Sequence, residues 1–157
     1  MATEPIIGYL DDHLAGSATA IEILETLRDD SVVGAWSSAM LKEIESDRRV
    51  LSDLRLRIDQ TSNPLKEAIG WLAGTLGRAK LHPKISGPLG RLEALETLAI
   101  GIQGKLALWR ALRVAIDPRL TGVDYEHLCA RALAQFDEVE ERRLDVARAV
   151  LAKASAT

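Results

Sequence analysis

Apolar side chains recur along this chain at spacings of three and four, not two, and they do so over four long stretches. The clearest is 91–116, RLEALETLAIGIQGKLALWRALRVAI, with apolar residues at 92, 95, 99, 102, 106 and 109. Those spacings draw one stripe down an α-helix. Glu96, Gln103, Lys105 and Arg110 flank the stripe. Gly101 and Gly104 fall mid-helix, where each costs roughly 1 kcal/mol against alanine. Either another backbone approaches closely there, or the two glycines are tolerated blemishes.

The same periodicity places a first helix at about 4–28, capped by Thr3 with Pro5 in its first turn. Its stripe is Leu10, Leu14, Ser17, Ile21, Leu24, then Leu27 or Arg28, and His13 lies beside it, near its edge. The sequence DDS at 29–31 marks a turn, with Ser31 placed to cap the next helix. That second helix covers about 32–60 with the stripe Trp36, Met40, Ile44, Asp47, Leu51, Leu54, Ile58. Asp47 interrupts an otherwise apolar register. A buried carboxylate needs partners or a raised pKa; alternatively the helix rotates slightly and leaves Asp47 at the rim, paired with Arg48, Arg49 or a neighbour.

TSNP at 61–64 ends that helix, and Asn63 with Pro64 signals a new start. A shorter helix is expected over 64–79, followed by a loop, LHPKISGPLG, at 81–90, in which His82 faces solvent. The third long helix runs from near Pro88 to before Asp117-Pro118. After the turn RLTG at 119–122, Thr121 and Asp124 have capping-box spacing. A fourth helix reaches about 152 with the stripe Tyr125, Leu128, Ala132, Gln135, Val139, Arg142 or Arg143, Val146, Val150.

Helices of this length extend ~40 Å each at 1.5 Å per residue. The first and third connections are short, so those pairs are antiparallel. The connection between the second and third helices is nearly thirty residues long and can travel the length of the bundle. The expected fold is therefore all-α: one domain over 1–157, a four-helix bundle with a long crossover, containing a short helix, between helices 2 and 3. A plain up-down-up-down bundle with a decorated loop is the alternative.

Composition agrees with a helical core and narrows the chemistry. Of 157 residues, 47% are hydrophobic but only 4% aromatic, so the interior must come mostly from aliphatic side chains. The formal charge is −3 with signs interspersed, which leaves no basic block for a phosphate backbone and makes nucleic acid a poor partner. The one cysteine, Cys129, has no disulfide partner within the chain and reads as a core residue. The start MATEPIIGYLDDH lacks a signal peptide's basic region and long apolar run, and no apolar run reaches a transmembrane length. A cytoplasmic protein is the default. The uncharged span 69–77, IGWLAGTLG, covers its own bundle or, as the lesser alternative, touches a membrane surface or a partner subunit.

Candidate chemistry is sparse. No phosphate-binding glycine loop, CxxC or HExxH occurs. Ser17 lies one turn from His13, but a helix interior offers no oxyanion hole for hydrolysis. Trp36, Trp71 and Trp109 read as packing residues, or as the walls of an apolar ligand site. The polar residues of the stripes instead suggest an internal layer: His13 paired with Asp47, with Gln103 and Gln135 at the same height. Asp12 would meet Lys105, and Glu43 and Glu96 would lie near Arg142 or Arg143. Such networks specify pairing more than they stabilise. A reduced metal site would have to draw on His13, Glu43, Asp47, Glu96 and Glu138, and His13 with Asp47 are too few ligands for a zinc or iron assignment. No cofactor is expected.

The stretches YLDDHLAGSATAIEIL (9–24), LKEIESDRRVLSDL (41–54) and LEALETLAIGIQGKLALWRAL (92–112) resemble a poorly characterised bacterial group within the ferritin-like superfamily. The resemblance covers nearly the whole chain and implies a four-helix bundle. Metal-binding members place Glu-x-x-His pairs on two helices. Here Glu43 is followed at the third position by Ser46, and Glu138 by Glu141, and no Glu-x-x-His occurs anywhere. The expectation is a non-catalytic ferritin-like bundle, a homodimer or a binder of another protein. The alternative is a metal-binding or oxidative ferritin-like enzyme with a reduced site.

Overall fold

A computed structural model describes residues 4–60 and 85–152. Among these residues there are four long helices and no strand: α1 (Pro5–Leu27), α2 (Gly34–Asp59), α3 (Gly87–Val114) and α4 (Tyr125–Val150). A single 3₁₀ turn, Pro118–Leu120, lies between α3 and α4. The expected short helix over 64–79, the span 69–77, Trp71 and His82 lie outside the described residues; the N-cap of α1 is Glu4, not the expected Thr3.

Each helix buries close to the stripe its periodicity predicts. On α1 the buried residues are Ile7, Leu10, Leu14, Ile23, Leu24 and Leu27, so Ile23 replaces the expected Ile21 as the fully covered isoleucine. On α2 they include Met40, Ile44, Asp47, Leu51, Leu54 and Ile58, together with Arg55. Arg55 is tolerated inside because Asp11 lies 2.7 Å from its Nε and Asp59 accepts from its Nη1. Burial alone would weaken its charge, but those two carboxylates raise its pKa above the ordinary value. On α3, Leu92, Leu95, Leu98, Ala99, Ile102, Leu108, Trp109 and Leu112 face inward. On α4, Leu128, Cys129, Ala132, Gln135, Val139 and Val146 do. A fully buried Leu, Ile or Val side chain contributes about 1.5–3 kcal/mol, so these stripes supply the main attraction between helices.

Helix directions follow from which residues meet. Asp11 meets Arg55 and Ser17 meets Arg48, so α1 and α2 are antiparallel. Arg113 meets Glu126 and Lys105 meets Gln135, so α3 and α4 are antiparallel too. The apolar clusters then order α2 against α3. Val33, at the start of α2, shares a cluster with Leu92 and Leu95. Met40, Leu41 and Ile44 cluster with Leu98, Ala99 and Ile102. Leu51, Leu54 and Ile58 cluster with Leu108, Trp109 and Leu112. Both series ascend together, so α2 and α3 are parallel. The chain leaves α2 at one end of the bundle and enters α3 at the other, which sets aside the simple up-down-up-down arrangement.

The tight connections are built differently from the predicted caps. Between α1 and α2 it is Asp30, not Ser31, that holds the turn: its Oδ1 accepts from the backbone N–H groups of Val32 and Val33 at 2.8 and 3.1 Å. Its Oδ2 accepts from Arg91 Nε at 2.8 Å, tying the turn to α3. Gly34 is required there, because a Cβ at that position would sit 2.4 Å from the Arg28 carbonyl oxygen. Between α3 and α4, Asp124 rather than Thr121 is the N-cap, accepting from the His127 N–H at 2.9 Å. Gly122 turns the chain there with φ +79°, a region that favours glycine.

Candidate functional site

Asp47 points into the bundle and is 3% exposed, so the rotated alternative does not occur. Its partners are neither His13 nor the adjacent Arg48 and Arg49. The ammonium of Lys105 on α3 donates to Asp47 Oδ2, and Arg131 on α4 donates through Nη2 to Oδ1. Gln135, one turn beyond Arg131 and buried, joins the same group. Its Nε2 donates to Glu43 Oε2 at 2.9 Å and to Asp47 Oδ2 at 3.3 Å, while its Oε1 accepts from Lys105. Both carboxylate oxygens of Asp47 are thus engaged by donors, which is the condition for keeping a charged carboxylate inside. Burial holds the Lys105 pKa below the ordinary lysine value; Asp47 and Glu43 oppose that shift, and the nearby Arg131 adds to it.

The residues expected from sequence are therefore only partly gathered. Asp47, Lys105 and Gln135 meet in one layer. Gln103 does not join them: it is exposed on the outer side of α3. Asp12 is also exposed, and Lys105 turns inward to Asp47 instead of pairing with it. His13 is half-buried on α1, its ring edge-on to Tyr9 at 4.8 Å between centroids. Burial lowers its pKa, against the pull of Asp12. Glu96 lies on the surface, 4.0 Å from Arg143 Nη1. Glu138 is exposed and accepts from Trp36 Nε1 at 3.1 Å, with the Arg142 guanidinium 5.0 Å from the Trp36 ring.

The weak metal candidates His13, Glu43, Asp47, Glu96 and Glu138 do not converge. Among the described residues, no three His, Cys, Asp or Glu side chains come together as a metal would require. The two carboxylates that do share a neighbour, Glu43 and Asp47, share Gln135, and Asp47 is already neutralised by protein cations. The residues present do not fit a di-iron centre, which needs four inward carboxylates and two histidines.

One participant, Arg131, escapes the sequence reading, and another, Arg48, enters it only as an alternative partner of Asp47. Arg131 carried a signal, since it lies one turn before Gln135 on the inward side of α4. Arg48 carried almost none: it follows Asp47 directly, and its guanidinium turns toward α1 to donate to the Leu14 carbonyl and Ser17 Oγ. Cys129 is buried and Trp109 fully so, as their positions suggest. No helix among the described residues is long and apolar enough to cross a membrane. No family model, curated protein or solved structure matches the chain.

Proposed function

We propose that this chain is a non-catalytic, ferritin-like helical bundle that works by association, with a second copy of itself or with another protein. The observation that carries this reading is the position of the Lys105 ammonium. It sits between Asp47 and Gln135, with Glu43 on the far side of that amide. A protein cation thus balances the carboxylate that a metal would otherwise have to balance. The parallel run of α2 and α3 supports the ferritin-like assignment, because bundles of that kind carry one long crossover. Support for association comes from Ile100, Leu133 and Leu144, apolar residues 45–67% exposed on α3 and α4.

Elemental analysis of protein purified from medium containing iron, manganese and zinc tests the first half. The expected result is metal far below one equivalent per chain. Near-stoichiometric metal that disappears in Asp47→Asn or His13→Ala would replace this reading with the reduced-site enzyme. Sedimentation equilibrium tests the second half: a concentration-dependent dimer or larger species is expected. A strict monomer at high concentration that also retains no protein partner would refute it.

A further inference from the structure

Beside the Asp47 layer, on the side away from α4, a cavity of about 220 Å³ opens between α1, α2 and α3. Gly16, Gly101 and Gly104 line it, and a Cβ built on any of the three would meet nothing within 4 Å. Among the described residues, the glycines therefore admit no neighbouring backbone and leave space. Ile44, Leu51, Ile102 and Leu108 supply apolar wall.

The polar groups of this wall offer hydrogen-bond donors that lack full use. The Trp109 indole Nε1 is buried and has no acceptor. Arg48 donates through Nη1, to Leu14 O and Ser17 Oγ, both of them uncharged acceptors. Asp47, the inward acid of the lining, is already held by Lys105 and Arg131, and Asp12 is exposed at the rim. A partly open site whose spare groups include an indole N–H and a guanidinium, beside the half-buried His13 imidazole, is complementary to an acceptor with negative charge. Size limits the rest. An apolar cavity of ~150 Å³ takes one benzene ring, so this one has room for a ring and a short polar arm.

We propose that the cavity binds a small monocarboxylate with a compact apolar body, about one ring in size. The carboxylate accepts from the Arg48 guanidinium and the Trp109 indole N–H, and the body lies against Ile44, Leu51, Ile102 and Leu108. This site goes beyond the association reading and stands or falls independently of it.

The test uses the full chain and two probes of the same shape, phenylacetate and its neutral amide, phenylacetamide. Two-dimensional nitrogen–proton spectra follow the indole N–H signals, with Trp109→Phe identifying the relevant one. Phenylacetate is expected to shift the Trp109 signal saturably, and the amide to bind at least tenfold more weakly. Gly104→Leu, which fills the cavity from a position where a Cβ meets nothing within 4 Å, is expected to abolish the shift while circular dichroism stays helical. Arg48→Met is expected to weaken the acid at least tenfold and bring it level with the amide. Equal binding of acid and amide, no saturable shift, or a shift that survives Gly104→Leu would each overturn the proposal.

Discussion

The middle of the bundle has two sides at one height, and they solve the same problem in opposite ways. Toward α4, long side chains close the interior: Lys105, Arg131 and Gln135 converge on Asp47, and Gln135 reaches Glu43. Toward α1, three glycines leave the interior open, and the lining includes Arg48 and Trp109, whose buried indole N–H has no acceptor among the described residues. A buried charge is stable where its own fold brings it a counter-charge, and it is a waiting ligand site where the fold brings only neutral acceptors. The difference lies in the opposing residue. Gln135 on α4 reaches in to satisfy the layer, whereas Gly16 on α1 has no side chain with which to do so.

The largest break in this contrast should come from removing the cation of the closed side. Lys105→Met leaves Arg131 as the remaining cation on Asp47 and should cost about 3 kcal/mol, read as a lowered denaturant midpoint at unchanged slope. Adding Asp47→Leu to the same chain should recover part of the loss, because an apolar pair often matches a buried ion pair, while Arg131, 25% exposed, loses its carboxylate and turns to water. A double variant as unstable as the single one would mean that the layer does more than compensate charge.

Glycine replacements sharpen the other half. Gly34→Ala is the case in which glycine is demanded by contact: its Cβ would press on the Arg28 carbonyl oxygen at 2.4 Å. It should lose about 1–3 kcal/mol, the usual range for an overpacked position. Gly101→Ala and Gly104→Ala should do the reverse, each gaining roughly 1 kcal/mol of helix stability and raising the melting temperature. If either destabilises, the cavity is not the open space described.

The smallest effect concerns His13, at the open side. Burial lowers its pKa from 6.5 despite Asp12, so the folded chain holds that proton less firmly than the unfolded chain. Stability should therefore fall as pH drops below about 6.5, and His13 should contribute no slope above it. Melting curves of His13→Gln between pH 5 and 7 should show a flatter dependence than the parent chain.

The helices and their inward stripes were legible because burial and helical period are both local properties of the sequence. Asp47 was legible as an interruption of a stripe. Its partners were not, because pairing depends on the relative height and rotation of three helices, and a lysine stem can carry its charge several ångströms either way. Lys105 reads from the sequence as a polar-core residue meeting Asp12; it is in the core but meets Asp47 instead. Gln103, two residues away, points out. The glycines of α3 were visible as an anomaly, but one sequence cannot tell whether a missing side chain makes room for a neighbour or for nothing. The turn residue Asp30 in place of Ser31, and the cap Asp124 in place of Thr121, reflect the competition among adjacent Asp, Ser and Thr, any of which can hold a turn.

The described residues form two helical hairpins, α1–α2 and α3–α4, laid against each other. In the ion pairs Glu4–Arg119, Asp30–Arg91, Asp47–Lys105 and Asp47–Arg131, the acid belongs to the first hairpin and the base to the second. Pairing like with like would set acid against acid along one seam and base against base along the other. The seam thus carries a polarity, acids from one hairpin meeting bases from the other, which favours this pairing over like with like.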